Sequence, residues 1–314
     1  MMNPLTLCIT GSTDGIGLAA AKRFASAGHR VIVHGRDASR ISSAYSDILQ
    51  AAGVEPIGAI EADFIDLDAV HAMGRELCGR YSGIDLLINN AAVYMAERTL
   101  AAEGYEMTFT VNYLAHVLLT NTVNPMLIEN GGSVLNVSSV DHHSAVFDPS
   151  NMQGERSYSG YEAYARSKLF NIREPLYICS EALLLRWAVL EILMYYVYTP
   201  VSPLRPPCTL ASHDNILEVP VKSAAGDVPL RSNSLDPGVI STKLLHAGWS
   251  LGGDDVSAGG EELYATVMTI EKQACNGEYF ENLRPARCSP VAMDPLQRKE
   301  LAELTENMLQ RSGL

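Results

Sequence analysis

Tyr164 and Lys168 are residues whose types and spacing could do chemistry. They stand four positions apart in YEAYARSKLFN, residues 161 to 171, so a helix would present both side chains on one face. An ammonium group beside a phenol favours the phenolate and lowers the tyrosine pKa from about 10. The pair could therefore give and take a proton near neutral pH. Tyr161 has only Ala165 at the same spacing and no such partner.

The same Tyr-xxx-Lys spacing also occurs in ordinary amphipathic helices, so the surrounding elements must decide its meaning. Apolar runs that suit buried strands alternate with segments of helical period, which predicts βαβ crossovers and a doubly wound, Rossmann-like α/β sheet. We expect one domain over residues 1–314, with its ligand at the carboxyl ends of the strands. The predicted strands are 5–10, 30–35, 54–60, 84–89, 133–138 and 277–282, and the predicted helices are 16–27, 38–52, 66–81, 100–127 and 294–311.

Composition excludes several classes of function. The formal net charge of −13 argues against nucleic acid or an anionic membrane as a partner, because both are bound through basic patches. The six cysteines show no metal-like spacing, so we expect no metal site and a reducing compartment. The first residues lack the features of a signal peptide, and we therefore expect a cytoplasmic protein.

A glycine-rich turn follows the first predicted strand. Gly11, Gly15 and Gly17 stand in TGSTDGIG and lead into a helix. Glycine permits a tight turn and a close approach of pyrophosphate to the backbone, and the helix N-terminus favours an anion. The position of the turn therefore predicts a dinucleotide site.

Further motifs accompany this turn in a fixed order. The spacing GxxxGxG, then NNAA (89–92), VNYLAH with Asn112, NVSS with Ser139, YARSK, and DPGVIST with Pro237 together resemble the short-chain dehydrogenase/reductase family. NVSSVDHH followed by Tyr164 looks most like its retinol-dehydrogenase-like and WW-domain-oxidoreductase-like branch. The resemblance covers residues 5–172 and 232–311.

The resemblance implies roles for four residues in hydride transfer between an alcohol and a carbonyl. Tyr164 would be the proton donor in reduction and the acceptor in oxidation, and Lys168 would lower its pKa and hold the nicotinamide ribose. Ser139 would hydrogen-bond the substrate oxygen. Asn112 would hold a helix kink and a water that links Lys168 to solvent, although an asparagine in an apolar helix can simply bond its own backbone.

By the same resemblance, the cofactor would contact residues of the glycine turn and of the later strand ends. Thr242 would hold the nicotinamide carboxamide. The full set is Thr10, Gly11, Ser12, Gly15, Ile16, Gly17, Arg36, Asp63, Asn90, Ala91, Tyr164, Lys168, Pro237, Gly238 and Thr242.

The end of the second strand favours NADP over NAD. Gly35 stands where an NAD enzyme usually has an acid, and Arg36 follows it; a guanidinium suits a 2′-phosphate. Asp14 and Asp37 weaken this preference. Asp63 resembles a family residue that contacts the adenine, but it could equally cap the next helix.

Residues 173–231 do not fit the family pattern. Lys168 and Pro237 are 69 positions apart, whereas a helix end, a connection and a strand need only about 25 to 35. Three interpretations remain: a membrane-contacting helix at 182–198, a partner-binding insertion, or a translated non-coding stretch. We favour the third, because Pro175 would end the helix that carries Tyr164.

These patterns predict an NADP-dependent oxidoreductase that interconverts an alcohol and a carbonyl on a small lipophilic substrate, such as a retinoid or steroid. Residues 243–256 are loop-rich and lie where the family keeps its substrate lid. The alternative is a non-enzymatic NAD(P)-binding regulator or scaffold of the same fold. The family often forms homodimers through the helices that carry Asn112 and Tyr164, and the insertion puts such a dimer in doubt.

Overall fold

The framework of the protein is a sheet of eight strands in a computed structural model that describes residues 3–172, 230–249 and 252–314. The strands are β1 Thr6–Ile9, β2 Arg30–Gly35, β3 Gly58–Glu61, β4 Leu86–Asn89, β5 Ser133–Val137, β6 Arg231–Asp236, β7 Tyr279–Glu281 and β8 Arg284–Pro285. Their order in the sheet is β3-β2-β1-β4-β5-β6-β7-β8. All neighbouring strands are parallel except β7 and β8, which are antiparallel. β1, β4 and β5 are buried along their whole length, as strands covered on both faces should be.

Helices cover both faces of this sheet. The helices are α1 Gly15–Ser26, α2 Ala38–Ala52, α3 Leu67–Arg80, α4 (Met107–Phe109, a π-helical turn Thr110–Leu114, and Ala115–Glu129), α5 (160–172), α6 Lys243–Gly248, α7 Val256–Gln273, α8 Pro290–Met293 and α9 Pro295–Arg311. On one face, α1, α2 and α7 bury a core that includes Phe24, Ile48 and Leu263. On the other, α3, α4, α5 and the C-terminal helices enclose a second core with Leu119 and Phe170.

The doubly wound fold predicted from the sequence is confirmed. The predicted strands and helices are present, with bounds that differ by a few residues except at the start of α4. That helix begins at Met107 rather than at residue 100, because Glu106 accepts hydrogen bonds from the Thr108 and Phe109 N–H groups and so caps it there. The prediction that residues 243–256 are loop-rich is in part wrong, since the first six of them form α6.

The predicted insertion lies almost wholly outside the described residues. Both the proposed membrane-contacting helix 182–198 and Pro175 fall there. Its expected end at residue 231 coincides with the start of β6, where Arg231 pairs in register with Ser133 of β5. Among the described residues, no helix combines the length and the apolar character that crossing a bilayer requires.

Candidate active site

A cleft of about 910 Å³ opens at the carboxyl ends of the parallel strands. The strand order reverses between β1 and β4, and doubly wound sheets bind ligands at such a switch point. Three predicted residues, Thr10, Ser12 and Asn112, do not line the cleft. The other predicted residues do: Gly11, Gly15, Ile16, Gly17, Arg36, Asp63, Asn90, Ala91, Ser139, Tyr164, Lys168, Pro237, Gly238 and Thr242.

The glycine turn after β1 brings bare backbone to the cleft. Gly11 and Gly15 have φ of 65° and 54°, in the left-handed region that glycine adopts without strain. A Cβ at Gly17 would lie 2.4 Å from the Gly11 carbonyl oxygen and 2.5 Å from Asn90 Nδ2. Because α1 begins in this turn and its first three residues line the cleft, the N-terminus of the helix favours an anion there. The cradle therefore fits the pyrophosphate of a dinucleotide.

Thr10, expected to bind a cofactor, instead joins the ends of β1 and β4 beneath the cleft. Its Oγ1 accepts hydrogen bonds from the N–H groups of Asn90 (2.8 Å) and Ala91 (3.0 Å). It also lies 3.2 Å from Nε2 of His116, whose Nδ1 donates to the Asn112 carbonyl. Burial lowers the pKa of His116 to about 3, so the ring is neutral and Nε2 is an acceptor. Thr10 therefore fixes the position of residues that line the cleft.

Ser12 is likewise directed into the fold. Its Oγ accepts a hydrogen bond from the N–H of His34 at 2.9 Å. Nδ1 of His34 accepts from the Gly11 N–H at 2.9 Å, and Nε2 donates to the Ala62 carbonyl at 3.0 Å. Burial lowers the pKa of His34 to about 4. Sequence reasoning missed this histidine, which holds the glycine turn against β2.

Two arginines lie at the edge of the cleft beyond β2. Arg36 follows the strand, Arg40 lies in the first turn of α2, and both line the cleft. A Cβ at Gly35 would lie 2.5 Å from Thr13 Cγ2, so an acidic side chain there would require the Thr13 side chain to shift. The edge therefore presents two guanidinium groups in the region where a 2′-phosphate would be recognised.

The two aspartates that weakened the preference for NADP have partners of their own. Asp14 caps α1 by accepting from the Gly15 N–H at 2.9 Å and forms an ion pair with Lys243. Partial burial alone would raise the Asp14 pKa, but these contacts outweigh it and the pKa is lowered. Asp37 caps α2 by accepting from the Arg40 N–H at 2.9 Å.

Asp63 lines the cleft at the end of β3. Its Oδ1 accepts from the Ile65 N–H at 3.3 Å. The cap of α3 is Asp66, which accepts from the Ala69 N–H at 3.1 Å. Helix capping, the alternative role for Asp63, is therefore wrong.

Asn112 occupies the π-helical turn of α4, a form often found at functional sites. Its Oδ1 accepts from the Val93 N–H at 2.8 Å, and its Nδ2 donates to the Val93 carbonyl at 3.0 Å and to Ser167 Oγ at 3.1 Å. The side chain thus joins the loop after β4 to α5, next to Lys168. The irregular helix is present, and the water link to solvent stays a prediction.

Ser139, Tyr164 and Lys168 meet beyond β5. Tyr164 and Lys168 are buried, and Lys168 Nζ lies 5.5 Å from the centre of the Tyr164 ring. The ammonium donates to the Val137 carbonyl at 2.9 Å. Ser139 Oγ donates to Asp141 Oδ2 at 3.2 Å. Three side chains predicted to act together are therefore close in space.

The pKa of Tyr164 is raised, whereas the sequence suggested that Lys168 would lower it. Burial raises it above the usual value, the carboxylates of Asp141 and Asp236 raise it further, and the Ser139 hydroxyl opposes them. Burial also lowers the pKa of Lys168 to about 8, against the same two carboxylates. Desolvation thus outweighs the lysine's attraction for phenolate, and Tyr164 is protonated at neutral pH.

The turn after β6 closes the cleft on the side opposite the arginines. Gly238 has a φ of 84°, and its N–H donates to Asp236 Oδ1 at 3.1 Å. Thr242 Oγ1 accepts from the Leu245 N–H at 3.2 Å and caps α6. A Cβ at Gly15 would lie 3.6 Å from Thr242 Cγ2, so Thr242 lies against the glycine turn.

His142 is a buried residue next to the candidate active site. Its Nδ1 donates to the Ser139 carbonyl at 2.7 Å, and its Nε2 accepts from the Ser289 N–H at 3.1 Å. Burial lowers its pKa to about 4, so it is neutral at pH 7. The ring ties the backbone of Ser139 to the segment before α8.

Other residues of the cleft were not singled out from the sequence. Arg40 lies in the first turn of α2, four positions after Arg36, and a second arginine so soon after the strand could have been noticed. Asp141 follows the end of β5, where ligands of such sheets bind, and it lines the cleft. The Trp249 ring centre lies 5.1 Å from that of Tyr164 and 5.2 Å from that of Tyr94.

Comparison with known proteins places this arrangement in a family. A model of the short chain dehydrogenase family matches residues 5–171. A candidate daunorubicin C-13 ketoreductase from Streptomyces sp. (strain C5) is 38% identical over 53% of this chain and 58% of its own length. Retinol dehydrogenase 11 of Mus musculus is 36% identical over 52% of each chain. The chain therefore spans about half the length of the curated relatives it matches.

Solved structures share the fold. A structure of an uncharacterized protein from Mycobacterium paratuberculosis has a TM-score of 0.68 and 22% identity over 98% of this chain and 93% of its own. A candidate short chain dehydrogenase from Escherichia coli CFT073, solved in complex with NADPH, has a TM-score of 0.58 and 18% identity over 90% of this chain and 98% of its own. With its matching family model and its similarity to retinol dehydrogenases, the chain belongs to the short chain dehydrogenase family of oxidoreductases.

Proposed function

We propose that this protein is an NADP-dependent oxidoreductase that interconverts an alcohol and a carbonyl on a small lipophilic substrate. The observation that carries the proposal is the meeting of Ser139, Tyr164 and Lys168 in one cleft with a glycine cradle. A protein that only bound nucleotide would not need a buried tyrosine and lysine beside the cradle.

The residues of the cleft fit the cofactor. The turn with Gly11 and Gly17 would hold the pyrophosphate, and Arg36 and Arg40 would bind the 2′-phosphate. Asp63 would contact the adenine. On the nicotinamide side, Asn90, Ala91, Lys168, Pro237, Gly238 and Thr242 would hold the ribose and the carboxamide.

The nicotinamide supplies or accepts the hydride when it is bound. In reduction, the Ser139 hydroxyl would turn its proton from Asp141 to the substrate oxygen, and the Tyr164 phenol would give its proton to that oxygen. The raised pKa of Tyr164 keeps this proton in place at neutral pH. Lys168, whose pKa is about 8, can return a proton to the phenolate. Oxidation runs the same steps in reverse.

The apolar lining supports a lipophilic substrate. The residues that line the cleft include the apolar side chains of Met95, Met107, Val111, Leu245 and Trp249. Water-excluding walls of this kind favour compounds with few polar groups. We therefore propose aldehydes and ketones of apolar compounds as the substrates to test.

Consumption of NADPH and NADH by the purified protein, across a panel of lipophilic aldehydes and ketones, tests the proposal. We expect turnover with NADPH, and a loss of about 10²- to 10⁴-fold in Tyr164→Phe. Tyr264→Phe is the matched control, because it removes a phenol hydroxyl outside the cleft. Folded protein that binds NADPH but turns over none of the panel would instead indicate a nucleotide-binding regulator.

A further inference from the structure

The hydroxyl of Tyr158, just before α5, lies between two acceptors on other elements. It is 2.9 Å from the Met95 carbonyl oxygen, in the loop after β4, and 3.0 Å from Glu106 Oε1, at the start of α4. Its single proton is shared between these two oxygens. Burial, together with the Glu106 carboxylate, raises the pKa of Tyr158 to about 12, so the hydroxyl keeps this proton at neutral pH.

Glu106, one of the two acceptors, is fixed in its own right. The residue is 1% exposed. Its Oε1 accepts from the Thr108 N–H at 2.8 Å, and its Oε2 accepts from the Phe109 N–H at 2.7 Å. The carboxylate therefore offers Tyr158 an anchor that belongs to the first turn of α4.

The turn that carries Tyr158 is fixed as well. Asn151 Nδ2 donates to the Ser157 carbonyl at 3.0 Å, and Asn151 Oδ1 accepts from the Arg156 N–H at 2.8 Å. The guanidinium of Arg166, on α5, donates to the Asn151 carbonyl. These contacts hold the turn against the helix that carries the catalytic tyrosine.

Met95, the other acceptor, is part of the wall of the cleft. It follows Tyr94, whose ring centre lies 6.4 Å from that of Tyr164. The backbone of Gly160, one helical turn before Tyr164, approaches the same carbonyl, because a Cβ there would lie 2.4 Å from the Met95 oxygen. The Met95 backbone is thus held next to α5, near the reacting group.

We propose that Tyr158 is a positioning residue for the substrate: by fixing Met95, its hydroxyl sets how bulky a group can stand beside the reacting carbonyl. A fixed apolar wall discriminates by size, because a contact for one substrate is a clash for a larger one. The inference rests on the proposed function, since it concerns the choice of substrate at the same site.

The cofactor should be insensitive to this contact. Asn90 and Ala91, the residues of the same loop that line the cofactor side, are held separately by Thr10. Asn112 fixes Val93 between them and Met95. Loss of the Tyr158 hydroxyl should therefore act on the substrate wall and leave NADPH binding within about twofold.

Two ketones of different bulk, acetophenone and 3-tert-butylacetophenone, test the inference. In Tyr158→Phe the wall can yield, so the ratio of their kcat/KM values with NADPH should shift towards the bulkier ketone at least about fivefold. Effects on folding or on the catalytic tyrosine act on both ketones and cancel in this ratio. Tyr105→Phe is the matched control and should keep the ratio, because its phenol donates to the Met308 carbonyl at 3.0 Å, outside the cleft.

Gly160→Ala reaches the same carbonyl from the other side. Alanine suits a helix, but its Cβ displaces the Met95 carbonyl, so the ratio should change at least about threefold. The combined variant should change the ratio by less than the product of the two single effects, since both act on one group. This variant also tests the inference if Tyr158→Phe does not fold.

An unchanged ratio in the folded variants, or a loss of NADPH affinity as large as the change in ratio, would overturn the inference. If neither ketone is turned over, calorimetric Kd values of each for the protein with NADPH give the ratio separately from the proposed function. If neither ketone binds, amide hydrogen exchange of the loop after β4 decides: faster exchange in Tyr158→Phe than in Tyr105→Phe supports the inference, and equal exchange overturns it.

Discussion

The cofactor end of the cleft is built from backbone, whereas its substrate end is built from side chains that are distant in sequence. At the cofactor end, Gly11 and Gly15 are needed for their positive φ, and Gly17 is needed because a Cβ there would collide with the Gly11 carbonyl oxygen. At the substrate end, Met95, Asp141 and Trp249 line the cleft, and all three lie outside the strands of the sheet. The first end constrains the chain to one pattern, and the second leaves it free to select a substrate.

Gly17→Ala tests whether the cofactor end depends on bare backbone. The new Cβ would lie 2.4 Å from the Gly11 carbonyl oxygen, so the turn must move and the cradle is lost. We expect NADPH affinity, measured by calorimetry, to fall at least about hundredfold. Gly79→Ala is the control: nothing lies within 4 Å of a Cβ there, and alanine favours the helix by about 1 kcal/mol. Normal NADPH binding by Gly17→Ala would show that the cofactor end does not depend on bare backbone at this position.

Arg36→Gln tests whether the arginines after β2 recognise the 2′-phosphate of NADPH. A charge-assisted hydrogen bond contributes about 1.5 to 3 kcal/mol, so the preference for NADPH over NADH in kcat/KM should fall about 10- to 100-fold. NADH serves as the internal control, because it lacks the 2′-phosphate. Arg40→Gln should act in the same direction and less strongly, since Arg40 also pairs with Asp37 at 3.4 Å. A loss that is equal for both cofactors would contradict the role of these arginines.

Trp249→Leu acts on the substrate end. The Trp249 indole lines the cleft beside Tyr164. Its removal takes away apolar contact area for the substrate, so KM for lipophilic ketones should rise about tenfold. NADPH affinity should stay within about twofold, because the glycine cradle is untouched. Steady-state kinetics and calorimetry measure the two effects. A change in NADPH affinity as large as the change in KM would show that the two ends are not independent.

Two buried histidines, one at each end of the cleft, should make the free energy of unfolding depend on pH. His34 holds the glycine turn and His142 holds Ser139, and burial lowers the pKa of each to about 4. The unfolded chain, with a histidine pKa near 6.5, binds more protons between about pH 4 and 6.5, so stability falls as pH falls through that window. Each histidine contributes a slope of about 1.4 kcal/mol per pH unit.

Urea unfolding at pH 7 and pH 5 measures this dependence. His34→Asn and His142→Asn should each reduce the difference in free energy of unfolding between the two pH values. An unchanged difference in both variants would show that neither ring is held neutral. His71→Asn is the control, since His71 lies on α3 outside the cleft.

The sequence predicted the sheet and the cofactor end because both depend on local pattern. Gly11, Gly15 and Gly17 follow a buried strand, and Tyr164 and Lys168 are one helical turn apart, so spacing alone places them. Other features depend on contacts that spacing does not encode. The inward direction of Thr10 follows from its bonds to Asn90 and Ala91, 80 and 81 positions away.

The pKa of Tyr164 shows the same limit. The spacing to Lys168 was visible in the sequence and suggested a lowered value. Burial and the carboxylates of Asp141 and Asp236 raise the pKa instead. The two aspartates belong to elements other than the helix that carries Tyr164. Electrostatics at a site therefore depends on groups that converge only in the folded chain.

The bond from Ser289 through His142 to Ser139 has a consequence for protein engineering. The backbone of Ser139 is braced by a segment that lies beyond the residues 5–171 matched by the family model. We expect that exchanging the segment from Ser289 onward with that of a relative changes the position of Ser139 without altering any motif residue. The C-terminal segment is therefore a place to adjust the rate of reaction while leaving cofactor choice alone.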